Sequence, residues 1–156
     1  MKALSILGVG VLLLAGEFPS TFAAEPSKQL LNLGKNNVAL HGYDPVAFFT
    51  QSKPVAGNAS FTSTHQGATY QFSTSENKAT FDAEPDKYVP QFGGFCAYGV
   101  SRGYTAPIKV DAFQIVDGRL LMQYDKGARE LFNQNPQASL KKADANWPAL
   151  VAKKGK

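Results

Sequence analysis

Hydrophobic and polar positions along the chain alternate in short, sharply bounded runs, and the first run differs from all the others. Ile6 to Ala15 is unbroken apolar sequence behind Lys2, and Gly16, Pro19 and Ser20 interrupt it. Thr21-Phe22-Ala23 then places small residues at −3 and −1 of a cut before Ala24. A membrane-spanning helix needs about 20 apolar residues, so this run is too short. Its charge, length and cleavage site fit a secretory signal over residues 1–23. No second apolar run follows, so no transmembrane segment is expected after cleavage, and the location implied is periplasmic or secreted.

Past the signal, residues 24–35 are polar and are expected to form a loosely ordered lead-in. Val38-Ala39-Leu40 reads as a short strand stopped by Gly42. Asp44-Pro45 reads as a helix start, with Asp44 as N-cap and Pro45 at the first helical position. Two runs rich in Thr and aromatics, 60–65 and 68–73, flank Gln66-Gly67 as a β-hairpin. Ser73 and Glu76 have capping-box spacing and open a helix to about Ala83, ahead of Pro85. Residues 85–90 read as a tight connection. Phe113 to Val116 and Leu120 to Tyr124 bracket Asp117-Gly118, a strong hairpin signal. Helices are expected over about 126–134 and from Pro136 to Trp147, where Pro148 should stop the second. No internal repeat is visible. Hairpins and short helices without regular β-α alternation imply an α+β fold in a single domain.

Composition narrows the function. Cleavage would remove Lys2 and Glu17 together, so the net charge of +4 survives it. Part of that charge lies late, at Lys141, Lys142, Lys153, Lys154 and Lys156, and residues 151–156 read as a basic, solvated tail. With one Trp and no interleaving of aromatics among these lysines, nucleic acid is excluded as a partner. Cys96 is the only cysteine, so an intramolecular disulfide is impossible and the core must hold without one.

Several segments carry a resemblance to a known family. They are Gly42-Tyr43-Asp44-Pro45-Val46-Ala47-Phe48-Phe49, Gly67 to Phe72, Glu76-Asn77, Phe81, Pro85, Tyr88, Pro90 to Ala97, Asp117-Gly118 and Ala143 to Pro148. In this order they resemble the small exported YHS domains, over residues 36–150. The resemblance implies a YHS-type domain from a group regarded as metal-binding, with copper or zinc the expected ion. Metal-binding relatives place cysteines where this chain has Ala47, Ser73 and Asn77. None of these is a soft ligand, so a metal would need a rebuilt site.

The candidate ligands for that site are Cys96, His41 and His65. Cys96 follows Gly93-Gly94 and precedes Ala97-Tyr98-Gly99-Val100, which can form a helical turn. A thiol at a helix start, or beside Arg102, has its thiolate favoured. The same residue also suits burial as a small hydrophobe among Phe92, Phe95 and Tyr98. His41 precedes the signature glycine, and His65 sits beside the first hairpin turn. Two His, one Cys and Met122 make a blue-copper set by composition, but both histidines lie far ahead of Cys96, and that reading is rejected. No phosphate loop, zinc-protease motif or serine elbow occurs, so no complete catalytic constellation is present. Nucleophilic catalysis by Cys96 with His41 and Asp44 would need proximity that only the fold could supply.

Three functions therefore stand. The first is metal handling in the cell envelope. The second is a binding module for a small ligand or an envelope protein, with Cys96 packed and Tyr43, Asp44, Phe95 and Tyr98 forming a cleft. The third is thiol chemistry at Cys96.

Overall fold

The computed structural model describes residues 27–156, so the expected signal and its cleavage site lie outside the described residues. No described helix is long and apolar enough to cross a membrane. The fold is α+β. Among the described residues, six α-helices accompany two separate antiparallel hairpins.

The chain builds the same unit twice. The first unit opens with a left-handed turn at Leu40–Gly42, where φ is 52° at Leu40, 54° at His41 and 83° at Gly42. Asp44 caps α1 (Pro45–Thr50) with Pro45 at the first position, as its sequence predicts. Strands β1 (Asn58–His65) and β2 (Ala68–Phe72) meet through Gln66 and Gly67, both with positive φ. That is the mirror-image turn whose twist suits a hairpin. Helix α2 (Ser75–Ala83) follows, capped by Thr74. The second unit opens with another left-handed turn, Phe92–Gly94. Cys96 caps α4 (Ala97–Ser101), and β3 (Lys109–Val116) and β4 (Arg119–Gln123) join through Asp117 and Gly118. Asp125 then caps α5 (Lys126–Asn133).

The correspondence runs position by position, with one residue fewer between short helix and hairpin in the second unit. Leu40–Gly42 falls on Phe92–Gly94, Asp44 on Cys96, Gln66-Gly67 on Asp117-Gly118, and Thr74 on Asp125. The pairings agree as well. Val38 bridges Thr69 in parallel, just as Pro90 bridges Leu120, and both hairpins slip in register at their far ends. The repeat escapes the sequence because identity survives only at Gly42 and Gly94, Gly67 and Gly118, Phe81 and Phe132, and Pro85 and Pro136. These are turn, core and helix-start positions, where the backbone or the packing dictates the residue.

Between the units lies α3 (Pro85–Tyr88), a short helix inside the expected connection. After them comes α6 (Pro136–Lys154). The core has two centres. One gathers Phe48, Phe72 and Phe81 with Leu120 and Met122; the other gathers Phe92, Val100, Leu121, Phe132, Leu140 and Leu150. Strand β4 serves both, because neighbouring residues point to opposite faces: Leu120 and Met122 to one centre, Leu121 to the other.

Four local expectations are corrected. Val38–Leu40 is not a strand; Val38 and Ala39 make isolated bridges, and Leu40 enters the left-handed turn. The cap of α2 is Thr74, whose hydroxyl accepts from the Asn77 N–H at 3.1 Å, because Ser73 is engaged elsewhere. Helix α6 runs through Pro148 to Lys154 and takes part of the expected tail with it. A proline inside a helix costs roughly 3 kcal/mol, and tertiary contacts on both sides offset this. Arg119 grips Asp144 with two bonds of 2.7 and 3.0 Å, Leu150 is buried, and Lys156 pairs backbone to backbone with Gln29. The described part of the lead-in, residues 27–35, is packed down as well. Asn32 donates its backbone N–H to Gly93 O and its side-chain amide to Gly94 O, and the carbonyl of Leu30 lies where a Cβ on Gly93 would stand. The glycine pair before Cys96 thus admits a crossing segment.

Candidate functional site

The two caps at equivalent positions, Asp44 and Cys96, organise very different surroundings. Asp44 is fully buried. Its Oδ1 accepts from the N–H groups of Val46 at 2.9 Å and Ala47 at 3.3 Å. Its Oδ2 accepts from Ser73 N at 2.8 Å, Ser73 Oγ at 2.7 Å and Asn77 Nδ2 at 2.7 Å. Five donors therefore satisfy one carboxylate, which ties α1 to the end of β2 and to α2. Ala47, Ser73 and Asn77, the three positions compared above with cysteines of metal-binding proteins, all contribute donors to it.

At the second position the cap is divided between two side chains. Cys96 Sγ accepts from Gly99 N at 3.5 Å, the counterpart of Ala47 N. Gln123 Oε1 accepts from Tyr98 N at 3.0 Å, the counterpart of Val46 N, and from the Cys96 thiol at 3.3 Å. Gln123 is itself fully buried and stands where the first unit has Phe72. The Cys96 backbone N–H donates to Ala106 O, and Cys96 bridges Met122. The thiol is buried, hydrogen-bonded and free of any disulfide.

Ser73 and Asn77 have Tyr124 and Ala128 as counterparts, and neither takes part in the hydrogen bonds around the Cys96 cap. In place of the polar knot lies an open cleft of about 510 Å³ with Cys96 at its edge, lined by Tyr98, Tyr104, Tyr124, Asp125 and Leu131. Four large apolar side chains are exposed among the described residues, and three of them, Tyr104, Tyr124 and Leu131, line this cleft. Tyr104 is positioned by Gly99: a Cβ there would stand 3.1 Å from Cε2 of the Tyr104 ring, and Tyr104 N donates to Gly99 O at 3.0 Å. Asp125 spends one oxygen on the α5 cap, accepting from Ala128 N at 2.8 Å.

The residues singled out from sequence scatter over the molecule. His41 is exposed in the left-handed turn of the first unit. Its counterpart in the second unit is Gly93, so it accompanies Asp44 rather than Cys96. His65 holds Asp86 at 2.9 Å through Nε2 and sets its ring edge-on to Phe81. Neither histidine lines the cleft. Among the described residues no group of three or more His, Cys, Asp or Glu side chains could hold a metal ion. Cys96, His41 and His65 are therefore not gathered into one donor group. Of the four residues considered for a cleft, Tyr98 lines it. Asp44 is buried in its knot, while Tyr43 and Phe95 are half-buried against the first and second core centres. Sequence reasoning missed Tyr104, Tyr124, Asp125, Leu131 and Gln123. Nothing periodic marks them, since they come from a loop, a strand end, a cap and a helix face.

Comparison with known proteins adds no relative: no family model, curated protein or solved structure matches the chain.

Proposed function

We propose that the protein is an exported, non-enzymatic binding module of the YHS type that takes a small ligand in the Cys96–Tyr104–Tyr124 cleft. The observation that carries this reading is the gathering of three of the four exposed large apolar side chains around one concavity. Its volume falls within the roughly 300–1,000 Å³ usual for small-molecule sites. Scattered exposed apolar residues need no explanation, but a cluster rimmed by polar groups marks a binding surface. Cys96 serves it as a packed, hydrogen-bonded edge. Thiol chemistry is disfavoured by that burial, and metal handling by the scatter of the soft and imidazole donors.

A neutral, polarity-sensitive dye such as Nile red tests the reading. The mature chain should bind it with a saturable rise in emission. Replacing Tyr104 and Leu131 together by serine should abolish the rise and lower the thermal melt only slightly, because both side chains are already about half exposed. Dye binding that survives the double substitution would refute the cleft. Export is tested separately by intact mass: the soluble extracytoplasmic protein should begin at or near Ala24.

A further inference from the structure

Resting on the cleft reading above, we infer that the ligand is a small organic cation of the methylated ammonium class. The argument starts from what lines the cleft and what does not. Tyr98, Tyr104 and Tyr124 contribute three aromatic rings, Asp125 contributes a carboxylate, and no Lys or Arg is part of the lining. The face of a tyrosine ring is the negative end of its quadrupole and attracts cations. None of the three rings stacks on another aromatic ring among the described residues. Among the described residues the cation–π contacts are made elsewhere, at Tyr88 and Phe92.

Asp125 adds the matching charge. One oxygen is committed to the α5 cap, and no ion pair among the described residues engages the carboxylate. Gly127, on the same wall, adds no side chain there; a Cβ on it would sit 3.4 Å from Asp125 Oδ1. Lys109 and Lys126 line the adjoining groove beside Asp111, and neither is ion-paired with Asp125 among the described residues. The cleft is thus a local exception on a chain whose formal charge is +4.

Methylation of the cation follows from the rest of the wall. Leu131, Ala106 and Ala128 offer methyl groups and no acceptors. A primary ammonium would have to share its three N–H donors among Asp125 and the tyrosine hydroxyls, whereas a quaternary ammonium has none to satisfy and presents methyl groups to ring faces and apolar walls.

The test titrates the mature chain with choline and with its neutral carbon isostere, dimethylbutanol, in low salt, following amide NMR shifts of residues around the cleft. Choline should bind about tenfold more tightly than the alcohol. Asp125→Asn keeps the helix cap, since asparagine caps as well as aspartate. It should bring choline down toward the alcohol, changing the alcohol's own affinity far less than choline's. Tyr104→Leu, which retains apolar area and removes the ring, should likewise weaken choline more than the alcohol. Equal affinities, or alcohol binding without choline binding, would overturn the cation assignment and leave the cleft standing. Failure of choline, alcohol and neutral dye together would overturn both readings.

Discussion

The two units of this molecule share a backbone plan and differ in what they do with it. At the start of each short helix one side chain must satisfy the free N–H groups. In the first unit that side chain is Asp44, and a fully buried carboxylate imposes conditions on all its neighbours. It is tolerable only when every oxygen is hydrogen-bonded, so Ser73 and Asn77 are drawn inward and the space closes. In the second unit the side chain is Cys96, which buries at little cost and makes few demands. Gln123 takes over one N–H group, and the counterparts of Ser73 and Asn77 become Tyr124 and Ala128. One unit is closed by its cap and the other is opened by it.

The largest test of this contrast is Asp44→Ala. It removes the acceptor of five donors, two of them in fully buried bonds and three in part-buried ones, and unsatisfied buried groups cost about 1–3 kcal/mol each when not rehydrated. A loss of about 4 kcal/mol in urea denaturation is expected. A loss below about 1 kcal/mol, the scale of an ordinary exposed cap, would show that the knot does not hold the first unit together.

The second test uses pH. Burial of Tyr70 in the first unit pushes its pKa from 10.0 up to about 12, while its counterpart, Leu121, cannot ionise. The folded state favours the neutral phenol, so this contribution is fully present below pH 10 and is lost as pH rises from there toward 12. Its size is about 2–3 kcal/mol. Alkaline melts of the wild type should therefore fall more steeply over that range than those of Tyr70→Phe. Parallel curves would remove Tyr70 from the account.

A smaller effect is expected at Cys96. Serine can keep both the Gly99 cap and the bond to Gln123, so Cys96→Ser should cost less than about 1 kcal/mol. Cys96→Val loses both bonds and crowds the helix start, with a cost of about 2 kcal/mol. Equal costs would mean that the thiol acts only by filling space. The smallest expected effect is none: thermal melts with and without a strong chelator should overlay, because the Asp44 knot already ties α1, β2 and α2 together. A clear chelator-induced drop in melting temperature would overturn this.

Much of the fold was legible because its signals are local. Asp44-Pro45, Gln66-Gly67 and Asp117-Gly118 each specify backbone geometry within a few residues, and the helices and hairpins stand where those residues put them. Expectations failed where a distant partner changed the outcome. Ser73 has the spacing of a cap, but a buried carboxylate 29 positions away holds both its N–H and its hydroxyl. Pro148 has the chemistry of a helix stop, yet anchoring contacts on both sides carry α6 past it. The duplication was hidden because the two units retain the same geometry with almost entirely different side chains.

For the candidate site the division is sharper. The residues themselves determined the α+β class, the hairpin turns, most helix starts and the impossibility of an internal disulfide, because each depends on neighbours in the chain or on simple counts. Tertiary structure alone decided that Asp44 is sealed inside, that His41, His65 and Cys96 stay apart, and that Tyr104, Tyr124, Asp125 and Leu131 share one wall. Those outcomes depend on how two hairpins and six helices pack, and packing joins residues whose separation along the chain carries no local signal.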